Sequence, residues 1–109
     1  MGLSWYNRGM TAPAFLDVDP RTLHLPTTRG SGADPVKLHR QIARHGASTQ
    51  GMPPLFVYRG SDGALMISDG VTRATRVAKL LPGVPVRVEV IGDLPTPCRQ
   101  LPTVGDRLP

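Results

Sequence analysis

The chain has 109 residues and a formal net charge of +5, from 13 lysines and arginines against 8 aspartates and glutamates. This length allows one domain with a modest core. The charge favours phosphate-bearing or polyanionic partners, and a charge of this size also serves solubility. The single cysteine, Cys98, excludes an internal disulfide, and together with three scattered histidines it forms no metal-binding cluster.

The beginning of the chain predicts an arm, a strand and a loop. Residues 1–13 have the composition of a loosely tied N-terminal arm, and Ala14 to Val18 reads as a short strand that Pro20 ends. The turn-rich residues 26–33 predict a flexible loop. No stretch approaches the roughly 20 apolar residues of a membrane span, and the N-terminus lacks the apolar core of a signal peptide. We therefore expect no membrane association and, by default, a cytoplasmic protein.

The first predicted helix runs from Pro35 to about His45. Asp34 suits the N-cap, proline suits the first helical position, and Gly46 suits the left-handed C-terminal position. Basic residues at i, i+3 and i+7 share its outer face. A stripe of this kind is usually a solvated surface, and it is also a candidate nucleic-acid contact, formed here by Lys37, Arg40 and Arg44.

A hairpin and a second helix follow. Leu55 to Tyr58 and Leu65 to Ile67 are apolar runs joined by a turn at Asp62-Gly63. The next helix runs from about Val71 to Leu81, and its apolar face repeats at helical spacing in Ala74, Val77, Ala78 and Leu81.

Alternating valines from Val84 to Val90 predict a last strand that is buried on one side. The proline-rich tail, residues 92–109, reads as extended, and either disordered or wrapped on the domain. Cys98 in this tail, between Pro97 and Arg99, is expected to be an exposed and inert thiol. The order of elements predicts an α+β fold in which helices pack on a small mixed sheet.

The turn at residues 68–76 predicts a site for an anion. A strand that ends in Asp-Gly and passes at once into a helix presents free N–H groups and the positive end of the helix dipole. Gly70 lets a ligand come close, and the Thr72 hydroxyl can bond a phosphate or a local backbone group. Arg73 and Arg76, three residues apart, can reach forward together as forked donors, or form a solvated face.

Asp69 is the carboxylate beside this turn, and its role stays open. Asp69, like Ser68, is a candidate cap for the second helix. Asp69 is also a candidate catalytic residue, which would hold a metal with a nucleotide, accept a proton from a hydroxyl, or orient Arg73.

The order of these parts resembles the ParB/sulfiredoxin superfamily. In ParB-like domains, a helix, a glycine, a loop and a proline-led apolar strand precede a hairpin. A glycine–x–x–arginine helix start, a helix of small residues and a valine-proline-valine strand then follow. The corresponding stretches here are residues 53–57, 70–73, 74–78 and 84–86, and the resemblance covers residues 14–91.

The resemblance implies a nucleotide-binding site. It assigns the phosphate role to Gly70, Thr72 and Arg73, and it places Gly46 and Gln50 on the opposite wall. The expected cofactor is a nucleotide triphosphate or diphosphate, with or without Mg²⁺. Arg29 lies near the position of an arginine common in the family, at a spacing that does not match closely.

Departures from the family pattern reduce the number of functions that the resemblance implies. Val71 stands where sulfiredoxins have their catalytic cysteine, so that chemistry is not expected. ParB partition proteins carry a DNA-binding helical domain after this region; the sequence ends soon after the last predicted strand, so sequence-specific DNA partitioning is not expected. Three hypotheses remain: a nucleotide-binding module with or without slow hydrolysis, an enzyme, and a non-catalytic DNA-contacting or interaction module that uses the basic stripe. The enzyme would be a nuclease or phosphotransferase that pairs Asp69 with a second acid, Asp62 or Asp17.

Overall fold

The computed structural model describes residues 14–109, which form one four-stranded mixed sheet and two α-helices. The predicted N-terminal arm lies outside the described residues. The α+β prediction is confirmed. Three short 3₁₀ turns supplement the strands and helices, at Pro20–Thr22, Thr27–Arg29 and Gly105–Arg107. The regular elements are β1 (Ala14–Val18), α1 (Pro35–His45), β2 (Leu55–Arg59), β3 (Leu65–Asp69), α2 (Val71–Leu80) and β4 (Val86–Asp93).

The strands lie in the order β1-β4-β2-β3. β1 pairs with β4 in the antiparallel sense, with Leu16 opposite Val88, and β2 and β3 form the predicted hairpin. β2 pairs with β4 in the parallel sense, with Leu55 also opposite Val88. A parallel pair needs a long connection, and the chain between β2 and β4 supplies it through β3 and α2. This topology places the beginning of α2 at the end of β3, beside the beginning of β2.

The first helix has the predicted bounds and caps. The Asp34 carboxylate accepts a hydrogen bond from the Val36 amide at 2.9 Å, and Gly46 ends the helix with φ at +55°. Only Leu38 of this helix is buried, because α1 packs on α2 rather than on the sheet. Most of its other residues are exposed and available to solvent or to a ligand.

The second helix carries the core. Ala74, Val77 and Ala78 are fully buried, which confirms three of the four predicted apolar positions, and Leu81 is partly buried. They pack with apolar side chains of the sheet, among them Leu55, Val57, Ile67, Val86 and Val88. No helix in residues 14–109 has the length and apolar character needed to cross a membrane.

The C-terminal segment wraps on the domain, which decides between the two predicted alternatives. The Leu25 amide donates to the Pro102 carbonyl at 2.8 Å, and the Val104 amide donates to the Leu23 carbonyl at 2.9 Å. Val104 is buried. The segment thereby supports residues 23–25, which lead into the loop that follows.

The prediction of an exposed Cys98 is wrong. Its side chain is 1% exposed because the hairpin turn holds this part of the tail against the domain. The Asp62 carboxylate accepts hydrogen bonds from the amides of Cys98 and Arg99, at 3.2 and 2.8 Å, and from Ala64 within the turn. Burial, together with the nearby Asp62 charge, raises the pKa of the Cys98 thiol.

These contacts give a prediction for Asp62. Desolvation opposes the ionisation of Asp62, but the backbone amides outweigh it and lower the pKa of the carboxyl group. Its stabilisation is therefore present above the pKa of an unfolded aspartate, about 3.9, and is lost as pH falls through the lower folded pKa. We expect Asp62→Asn to lower Tm at neutral pH, and the difference from the native chain to shrink below about pH 4. Thermal unfolding followed by circular dichroism between pH 2 and pH 7 measures it.

Asp93→Asn is the matched control, because the Asp93 side chain is 77% exposed and its one ion-pair partner within residues 14–109 is Arg59, at 3.9 Å. This variant should follow the native curve at every pH. A constant Tm difference for Asp62→Asn from neutral to acid pH would contradict the role given to the Asp62 charge.

Candidate functional site

The turn from β3 into α2 depends on Gly70. Its backbone is left-handed, with φ at +115° and ψ at 20°. A Cβ at this position would lie 2.7 Å from Leu55 Cγ and 2.9 Å from Arg73 Nη2. Glycine is therefore required twice, for the conformation and for the close approach of the helix to the sheet.

The second helix begins without a side-chain cap. Within residues 14–109, no side chain accepts from its first-turn amides, so the predicted capping role of Ser68 or Asp69 is wrong. The reason is that β3 continues through Asp69, whose side chain is exposed, and the N-cap position falls on Gly70. The first bond of the helix runs from the Ala74 amide to the Gly70 carbonyl at 2.9 Å. The amides of residues 71–73 consequently remain available to an anion.

This helix start opens into a cleft of about 530 Å³. One wall is the loop of residues 26–34, the second is α1 and the third is the turn from β3 to α2. Arg29, Lys37 and Arg73 line it with two carboxylates, Asp34 and Asp69. Asp34 caps α1 and keeps its charge, so the cleft combines three cationic and two anionic side chains with the positive end of the α2 dipole.

Asp69 and Arg73 contact each other across the mouth of the turn. Asp69 Oδ2 lies 3.5 Å from Arg73 Nη2, and the two side chains are 71% and 19% exposed. Of the roles considered for Asp69, orienting Arg73 is the one that has a contact in the structure. The pair keeps the guanidinium above Gly70, at the rim of the cleft.

Gln41 is a cleft residue that the sequence did not indicate. It is half-buried on α1, and its Oε1 atom is buried with no hydrogen-bond donor among residues 14–109. A glutamine in a polar helix gives no sequence signal, because most such residues simply face solvent. Its spacing of four from Lys37, which places both on one face of the helix, was the only available indication.

The basic stripe adjoins the cleft. Its three residues are exposed, and they line a recess of about 210 Å³ together with Gln41 and Thr72. Lys37, Gln41 and Thr72 also line the cleft itself. The two candidate surfaces, predicted separately for nucleotide and nucleic acid, are therefore continuous.

Gly46, Gln50 and Arg76 do not line the cleft itself. Arg76 does not reach forward beside Arg73 and does not face solvent, because its side chain is 1% exposed. Its Nη1 donates to the carbonyls of Gly46 and Ser48, at 2.7 and 2.8 Å. Gln50 and Arg76 line another recess of about 210 Å³, which meets the cleft at Gln41 and Arg73.

Arg76 therefore holds the segment that follows α1. The segment passes over α2 at this turn, and its carbonyl groups take the guanidinium that would otherwise extend to solvent. Nη2 also lies 3.6 Å from Met52 Sδ. Burial lowers the pKa of Arg76, and the two carbonyls compensate part of the lost hydration of its charge.

Neither acid proposed as the partner of Asp69 lies in the cleft. Asp62 is held by the amides of the tail, and Asp17 pairs with Arg87 at 3.1 Å on the sheet. Asp34 is the other carboxylate in the cleft. No group of three or more histidine, cysteine or acidic side chains with metal-binding geometry occurs in residues 14–109.

Comparison of the chain with protein-family models, with curated proteins and with solved structures found no match.

The Gly70 turn gives a prediction about stability. We expect Gly70→Ala to cost more than about 2 kcal/mol, because a left-handed conformation costs about 1–2 kcal/mol for alanine and the new Cβ overlaps Leu55. Gly83→Ala is the matched control, since Gly83 also has a positive φ, +86°, with no atom within 4 Å of an added Cβ. Urea unfolding measures the loss of stability in both variants, and the difference between the two losses is the cost of the overlap with Leu55. Equal losses of stability would contradict that overlap.

The two arginines of α2 give a second prediction. Arg76→Met should destabilise the fold by about 2–3 kcal/mol, because two charge-assisted hydrogen bonds are lost in a buried setting. Arg73→Met, on the same helix, should cost less than about 1 kcal/mol, since it removes only a partly exposed ion pair. Urea unfolding compares them. A larger loss of stability for Arg73→Met than for Arg76→Met would contradict the structural role of Arg76.

Proposed function

We propose that this protein binds a nucleotide through its phosphates at the N-terminus of α2. The observation that carries the proposal is that the uncapped helix start and three cationic side chains face one cleft. Phosphate groups accept from backbone amides at a helix start and are favoured by its dipole. In this proposal a phosphate accepts from the amides of residues 71–73.

The side chains around the turn complete the phosphate site. Arg73 lies at the rim, where its fork of N–H donors suits phosphate oxygens. Thr72, in the first turn, offers a hydroxyl. Arg29 and Lys37 approach from the opposite walls and would neutralise a second phosphate. Asp69 keeps Arg73 in place, and it is the carboxylate that would hold Mg²⁺ beside the phosphates if the nucleotide binds with the metal.

The size of the cleft favours a nucleotide over a free phosphate ion. Its volume of about 530 Å³ lies within the range of small-molecule sites.

The resemblance to the ParB/sulfiredoxin superfamily supports the same site. Its glycine–x–x–arginine turn corresponds to residues 70–73, and this is the turn for which the family implies phosphate binding. Arg29, which the spacing alone did not match, lies in the cleft with that turn. The proposal does not use Gly46, Gln50 or Arg76, none of which lines the cleft.

The test is thermal unfolding with ATP, ADP and CTP, each with and without MgCl₂. At a hundredfold excess over Kd, a nucleotide should stabilise the native chain by about 2.7 kcal/mol, which raises Tm by roughly 10–20 °C. Arg73→Ala should abolish the shift. Arg87→Ala, which removes an arginine of the sheet, is the control and should retain it. No shift with any nucleotide in either metal condition would overturn the proposed function.

A further inference from the structure

We propose that the ligand of the cleft is the phosphorylated end of a single-stranded oligonucleotide, whose backbone lies along the basic stripe of α1. This inference rests on the proposed function and names the class of ligand. The terminal phosphate occupies the α2 helix start, and the following phosphates contact the side chains of Lys37, Arg40 and Arg44.

The pairing of the basic side chains within the chain carries this inference. Eight of the twelve lysines and arginines in residues 14–109 contact a carboxylate, a backbone carbonyl or both. The other four have no hydrogen-bond or ion-pair partner among the described residues. All four line the cleft or the adjoining recess, and they are Arg29, Lys37, Arg40 and Arg44. The cations without an internal partner are thus collected on one continuous surface, as expected for a surface that binds a polyanion.

The continuity of this surface favours an extended ligand. Lys37, Gln41 and Thr72 line both the cleft and the recess beside the stripe, so a chain that enters one passes directly to the other. From residue 37 to residue 44 the helix rises about 10 Å. A strand that runs along this length passes more than one phosphate across the stripe. A mononucleotide in the cleft would leave Arg40 and Arg44 without a phosphate.

The composition of the surface indicates that it reads backbone rather than bases. No aromatic side chain from residues 14–109 lines the cleft or the recess. Proteins that recognise unpaired bases usually stack them on aromatic rings. Binding should therefore depend on phosphate number and on the terminal phosphate, with little preference among bases.

A single strand fits better than a duplex. The cleft volume of about 530 Å³ matches a single nucleotide and is small for a base pair with its two backbones. A terminal monoester also carries more negative charge than an internal diester, which favours it at a helix start.

The experiment measures fluorescence anisotropy of dye-labelled decathymidylates with the full chain. One oligonucleotide carries a 5′ phosphate, one a 3′ phosphate and one neither, with the dye at a hydroxyl end. Each is titrated at several salt concentrations between 50 and 200 mM, a range over which phosphate contacts change affinity strongly. Decadenylate with the same ends tests the indifference to bases.

We expect one phosphorylated decamer to bind about tenfold more tightly than the unphosphorylated one, and adenine and thymine to differ by less than about threefold. Arg40→Ala combined with Arg44→Ala should reduce the slope of log K against log salt by about 1.4, which is about 0.7 for each lost phosphate contact. Arg59→Ala combined with Arg87→Ala carries the same change of charge on the sheet and should leave the slope unchanged.

The outcomes distinguish this inference from the function on which it rests. If ATP raises Tm while end phosphorylation or the Arg40/Arg44 change has no effect on oligonucleotide binding, the nucleotide site stands and the oligonucleotide inference is overturned. An equal loss of slope in the sheet double variant also overturns it, because the effect is then one of net charge. If no nucleotide raises Tm and no decamer binds, both fail.

Discussion

The close approach of Gly70 to Leu55 is the contact on which the arrangement of this protein depends. Since no Cβ separates the two, α2 begins directly against the first residue of β2. That position brings Ala74, Val77 and Ala78 over the sheet and completes the core. The same turn directs the first-turn amides into the cleft and keeps Arg73 above the glycine. The close approach of Gly70 to Leu55 therefore determines both the packing of the core and the arrangement of the candidate site.

Local sequence patterns predicted the elements well and their pairing poorly. The Asp34 cap, the proline after it and Gly46 gave the bounds of α1, because capping depends on adjacent residues. The hairpin and α2 were likewise predicted from neighbouring residues, namely the Asp62-Gly63 turn and the helical spacing of apolar side chains. The parallel pairing of β2 with β4 joins Leu55 to Val88, across more than thirty residues, and no short pattern specifies it. The packing of the tail on the domain could not be predicted for the same reason, since the contacts of Asp62 with Cys98 and Arg99 are visible only in three dimensions.

The candidate site shows the same difference between what neighbouring residues predict and what distant contacts decide. Gly70, Thr72 and Arg73 were predicted as a group because they follow one another in the chain, and the structure places all three at the cleft. Arg76 has the same local pattern as Arg73, yet the segment after α1 covers it. The sequence cannot distinguish the two arginines, because the difference is made by a neighbour from another part of the chain. Gln41 was missed for the opposite reason, since its role depends on what α1 faces.

The contact of Arg76 with the carbonyls of Gly46 and Ser48 has a dynamic consequence. The segment between α1 and β2 has no strand or helix of its own, and the Arg76 side chain ties it to α2 through two hydrogen bonds. Opening of α2 would release that segment in the same event, and the two should behave as one cooperative unit in native-state hydrogen exchange. A ligand at the α2 start would then slow exchange in residues it never touches. Slow motions of the 46–52 segment would in this way report on occupancy of the cleft.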